Sequence, residues 1–118
     1  MSDKYQVIKE ERYQRFVFTL NQCGIFLVND ANERIETCIF ENFDIGVRVD
    51  ISDENLELFM DEGWIDEEIK EKCLELKRKF LNIQKPKSLI WNIQSVRESN
   101  VWKEILELSD EIKKLLYY

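Results

Sequence analysis

Ile45-Gly46-Val47-Arg48-Val49-Asp50-Ile51 is the stretch whose reading decides the fold. Apolar side chains at every second position, separated by Gly46, Arg48 and Asp50, make the period-two pattern of a half-buried antiparallel strand. Upstream, Ile25-Phe26-Leu27-Val28-Asn29 is a continuous apolar run of strand length. Arg34 to Phe40 reads as its returning partner across Asp30-Ala31-Asn32-Glu33, whose Asp and Asn favour turns because they bond their own backbone. These connections are too short for parallel crossovers, so a three-stranded antiparallel meander is expected. Leu89 to Ile93 offers a fourth short strand or an extended connector.

Helical periodicity flanks this region. From Asp3 to Gln22, Tyr5, Ile8, the stem of Arg12, Phe16 and Leu20 recur every three or four residues, and Tyr13 and Val17 widen the stripe. Arg15 to Asn21 fits a strand as well as a helix, and Gly24 is placed to end a helix in the left-handed conformation. Ser52 is a good N-cap for a short helix with Leu56, Phe59 and Met60 inside and Gly63 at its end. Asp66 caps the next, in which Ile69, Cys73, Leu76, Phe80 and Ile83 share a face and Pro86 marks the stop. A last helix from about Asn100 to Leu116 turns Val101, Ile105, Leu108, Ile112 and Leu115 inward. The expected fold is α+β in two layers, a three- to four-stranded antiparallel sheet packed against amphipathic helices, in a single domain over 1–118.

The 118 residues carry 24 acids and 17 bases, a formal net charge of −7, and 44% apolar residues. Three glycines and one proline are too few for a disordered or repetitive chain. There is no histidine, so no Ser-His-Asp or Cys-His nucleophile system, imidazole shuttle or histidine-ligated metal is available. Cys23, Cys38 and Cys73 are widely spaced, form no Cys-x-x-Cys pair and read as small buried apolar residues. The longest apolar run, Ile25 to Val28, is far short of a membrane span, and the polar start lacks the apolar core of a secretory signal. A soluble, cytoplasmic protein is expected.

Isolated Gly24, Gly46 and Gly63 build neither nucleotide-binding fingerprint, and three scattered cysteines do not make a zinc site. Asp50 to Asp61 superficially resembles a calcium loop, but the sixth position is Asn55 rather than Gly and the twelfth is Asp61 rather than Glu. No catalytic residue, cofactor or metal is assigned, and the chain is not expected to be an enzyme. Lys77-Arg78-Lys79, with Lys85 and Lys87 near Trp91, follows the preference for bases at a helix C-terminus more than any nucleic-acid role.

One feature stands out. Residues 50–68 hold nine acids and no base, so the chain outside them carries a small positive excess. Asp53, Glu54, Asp66, Glu67 and Glu68 fall in first turns, where the helix dipole favours negative charge. Asp61 and Glu62 sit at a helix C-terminal end, where it does not. The band therefore reads either as solvated surface or as an interface. The candidate partner-binding residues are Asp50, Asp53, Glu54, Glu57, Asp61, Glu62, Trp64, Asp66 and Glu67. Phe59, Met60, Trp64 and Ile65 supply apolar area beside the charge, as protein interfaces do.

A compact α+β plan, no catalytic constellation and the band from Asp50 to Glu68 together resemble the small cytosolic immunity proteins of bacterial polymorphic and contact-dependent toxin systems. The resemblance implies a protein-binding inhibitor that neutralises a cognate toxin domain, of nuclease type, through an acidic surface. It implies a basic protein partner, no nucleic acid or membrane, and a monomer or weak homodimer. A non-catalytic regulatory or adaptor module, or a phage-type inhibitor, is the alternative. The tail Leu115-Leu116-Tyr117-Tyr118 reads as a dimer contact or a core plug.

Overall fold

A computed structural model describes residues 4–84 and 88–117. Pro86, Lys85, Lys87, Tyr118 and Asp3, which figure in the sequence reading, lie outside the described residues. The expected sheet is overturned: the described residues are helical, with no strand among them, so the fold is all-α rather than α+β. Helix α1 spans Lys4–Asn21 and settles Arg15 to Asn21 as helix. A 3-10 helix over Ile25–Asn29 leads to α2 (Asn32–Ile35), a π-helix (Glu36–Phe43) and α3 (Asp44–Val49). Then follow α4 (Asp53–Asp61), α5 (Glu67–Asn82), α6 (Ile93–Glu98) and α7 (Asn100–Leu116).

The period-two reading of Ile45 to Ile51 fails for an arithmetic reason. Positions alternating by two also contain pairs separated by four, which is nearly one α-helical turn. Val47 and Ile51 are fully buried, whereas Ile45 and Val49 are 65% and 56% exposed. The working pattern is longer: Ile35, Ile39, Phe43, Val47 and Ile51, one every four residues, all fully buried. In an α-helix each four-residue step overshoots a full turn by about 40°, so five such residues would drift round the axis. A π-turn, closed by i→i+5 bonds, holds more residues, and there the same step falls short. The π-helix between α2 and α3 cancels the drift, and the three segments run as one continuous helix with right-handed helical angles at Glu36 and Asp44.

The other strand readings fail for want of partners. The run from Ile25 buries Leu27 alone and closes 3-10 turns, Leu27 N–H to Gly24 C=O at 3.1 Å and Asp30 N–H to Leu27 C=O at 3.0 Å. Arg34 to Phe40 lies within the long helix, and Leu89 to Asn92 is irregular, with Leu89 90% exposed, before Ile93 opens α6. Gly24 has an extended backbone (φ 172°), not the left-handed one expected. It is small because α7 comes close: a Cβ there would lie 2.5 Å from Asp110 Oδ1.

The caps expected at Ser52 and Asp66 are present, and Asn92 and Ser99 add two that were not expected. The side chains of Ser52, Asp66, Asn92 and Ser99 accept backbone N–H bonds at the starts of α4, α5, α6 and α7. Gly63, at φ 75°, is the one described residue in the left-handed region, and it closes α4. Helices α5 and α7 form the principal pair, and their buried faces join α1 and the long helix in one continuous core. In α7 the inward face differs from expectation at its start: Trp102 is fully buried and Val101 is 42% exposed. Trp102 Nε1–H donates to the Ile90 carbonyl at 2.6 Å, which satisfies the polar edge of a buried indole. Leu115 and Leu116 pack against the core, while Tyr117 is exposed. No helix of the described residues is long and apolar enough to cross a membrane.

Candidate functional site

The acidic segment folds into the turn after α3, all of α4 and the start of α5. On α4, Leu56 and Phe59 point into the core, and Asn55 is buried with them, donating to the carbonyls of Val49 and Asp50. At about 100° per residue, Asp53, Glu54, Glu57 and Asp61 all fall within roughly a quarter to a third of the circumference on the opposite side. The burial pattern agrees, since all four are exposed. Glu67 and Glu68 extend this acidic surface from the first turn of α5, and both are exposed.

The nine carboxylates do not share one role. Asp50 is turned inward, half-buried, and accepts the Thr19 hydroxyl at 2.9 Å. Asp66 accepts the Ile69 N–H at 2.9 Å as the N-cap of α5. These two belong to the scaffold. Three others meet bases from outside the segment: Glu62 with Lys9 at 2.6 Å, Glu57 with Lys70 at 2.5 Å and Glu54 with Arg12 at 3.7 Å. Glu57 holds the Lys70 ammonium, raising its pKa, first through their hydrogen bond. Asp53, Asp61, Glu67 and Glu68 make no ion pair among the described residues. Asp61 is the last residue of α4, beside the negative end of its dipole, so this exposed carboxylate opposes helix stability.

Trp64, in the turn between α4 and α5, links the acidic surface to a feature the sequence reading missed. Its backbone N–H donates to the Phe59 carbonyl at 2.9 Å. Its ring lies 5.3 Å from that of Tyr13 and 6.1 Å from that of Phe59. Tyr13 in turn meets Phe59 edge-on at 5.2 Å and 90°. Trp64 and Tyr13, with Glu10 and Gln14, line an open cavity of about 300 Å³. Glu10, Tyr13 and Gln14 stand at i, i+3 and i+4 on α1, which places them on one face. The signal was present in that spacing, but Tyr13 reads as core when only apolar residues are counted.

The cysteines have a different character. Cys23 and Cys73 are fully buried, and burial pushes both thiols up to about 12; burial raises Cys38 as well. Thiols held protonated are poor nucleophiles and poor metal ligands. No group of three or more potential metal ligands gathers among the described residues. Asp53 to Asp61, which the sequence reads as helix rather than as a calcium loop, is α4.

No protein-family model, no curated protein and no solved structure matches this chain.

Proposed function

We propose that the chain is a protein-binding inhibitor of the immunity type, which binds a basic toxin domain through the outer face of α4 and the first turn of α5. The observation that carries this reading is the exposed stripe of Asp53, Glu54, Glu57 and Asp61 opposite the core face of α4, continued by Glu67 and Glu68. Asp61 adds weight, because helix stability alone would not place an acid there. Such a surface steers a basic partner, and the half-buried Trp64 at its edge supplies apolar area that slows release. The α+β part of the resemblance to immunity proteins has fallen with the sheet, so the proposal rests on the acidic surface. A regulatory or adaptor module acting through apolar helix faces is the second reading, distinguished by whether the captured partner is a toxin.

The experiment is capture of partners by tagged protein from its native cell at low and high salt. A basic partner held at low salt and released at high salt is the expected result. With that partner in hand, Asp53→Asn, Asp61→Asn and Glu67→Gln together remove three charges that serve no ion pair among the described residues. The association rate should fall about tenfold and lose most of its salt dependence. Unchanged kinetics would remove this face from the interface.

A further inference from the structure

We infer that the cavity between Glu10, Tyr13, Gln14 and Trp64 receives the planar guanidinium of an arginine side chain presented by the basic partner. This inference rests on the reading of the neighbouring acidic face as an interface, and it names how one partner residue is held there. Two aromatic rings inclined at 58° with centroids 5.3 Å apart form a corner of π-faces on one side of the cavity. Aromatic faces attract cations, and a guanidinium stacks flat on indole and phenol rings as a compact ammonium does not. The cavity also offers a carboxylate and a carboxamide, the acceptors that a forked guanidinium bonds.

Charge selects the occupant. Glu10 makes no ion pair among the described residues and accepts a long 3.4 Å bond from the Gln6 side chain. The adjacent base, Lys9, is engaged by Glu62 at 2.6 Å. An apolar ligand would cover a carboxylate without pairing it, and an anion would meet Glu10 and the acids around Trp64. A cation meets neither objection. The site is also set in advance: Trp64 is tied by its backbone to Phe59, and Tyr13 is wedged edge-on against the same ring. Little ordering is then required on binding.

The test uses the intact protein and a short peptide of alternating glycine and arginine, with its citrulline counterpart as the neutral isostere. Binding is followed by proton–nitrogen NMR, reading the Trp64 indole N–H and the Gln14 carboxamide. The arginine peptide should shift both, the citrulline peptide neither. Glu10→Gln, on an exposed part of α1, should weaken arginine-peptide binding about tenfold without touching the core. Trp64→Phe keeps an aromatic ring against Phe59 and should weaken it several-fold. Equal shifts from the citrulline peptide would overturn the inference. So would shifts confined to the backbone of Asp53, Asp61 and Glu67 with Trp64 unmoved, a result that leaves the acidic interface standing. No shift at any site would also overturn it, and partner capture then decides the acidic face separately.

Discussion

Gly46→Ala tests the helical reading of the chain's most strand-like stretch, because the two readings give opposite signs. Gly46 packs on Thr19 of α1, and a Cβ there would lie 2.2 Å from Thr19 Oγ1, 2.6 Å from Cγ2 and 2.9 Å from Cβ. Rotating Thr19 moves its hydroxyl and methyl but leaves its Cβ in place, and it breaks the 2.9 Å bond to Asp50. Overpacking of this kind costs about 1–3 kcal/mol, and the lost bond to a carboxylate about 1.5 kcal/mol or more. Against this stands a gain of about 1 kcal/mol in helix propensity. The balance is a loss of roughly 2 kcal/mol, or a fall of roughly 8–10 °C in Tm for a domain of this size. Urea denaturation followed by far-ultraviolet circular dichroism would measure it. Thr19→Ala alone loses the same bond and should cost about 1.5 kcal/mol or more, and Gly46→Ala should cost at least 1 kcal/mol less in that background, since only the Cβ contact remains. In a strand, Ala for Gly would be neutral or favourable. A stabilised Gly46→Ala variant, or strict additivity with Thr19→Ala, would refute the α1–α3 crossing.

Three further outcomes are expected. Gly63→Ala meets no atom within 4 Å, so its cost is backbone strain alone, about 1 kcal/mol by chemical denaturation, with Gly63→Asn milder. Asp61→Asn should raise stability by about 0.3–1 kcal/mol by removing a charge from the negative end of α4, and a loss would mean that the carboxylate serves the fold. Cys23 and Cys73 should resist alkylation at pH 8 until denaturant is added. Because their folded pKa values lie above the unfolded ones, the unfolded state releases protons first. Their contribution is complete below about pH 8.5 and is lost as pH rises from there towards 12, by up to about 1.4 kcal/mol per pH unit for each thiol.

The legible parts of the chain were those where one signal spoke alone. Ser52 and Asp66 announce α4 and α5, and the expected last helix has the same ends as α7. The illegible part was Ile25 to Ile51, and within it the alternation from Ile45 to Ile51 also contains pairs four apart. Only the phase with Ile35, Ile39 and Phe43 separates the two patterns, and the π-helix that preserves this phase has no signature in composition. The acidic segment was visible as charge, but its division into cap, ion pair and unpaired carboxylate was not. Lys9 lies 53 positions from Glu62, and Thr19 lies 31 from Asp50. The cavity was hidden for the same reason, since Trp64 meets Tyr13 only once α4 is folded against α1.

The π-helix also changes what the chain can lose. Wide turns are an α-helix holding surplus length, taken up in girth rather than in a loop. Deleting an outward-facing residue there, such as Glu41, would tighten a wide turn into an ordinary one and leave Val47 and Ile51 in phase with Ile35. The same deletion in α5 or α7 would swing every later side chain by about 100° and carry its apolar stripe towards water. Between Glu36 and Phe43 the protein keeps a slack that its other long helices lack.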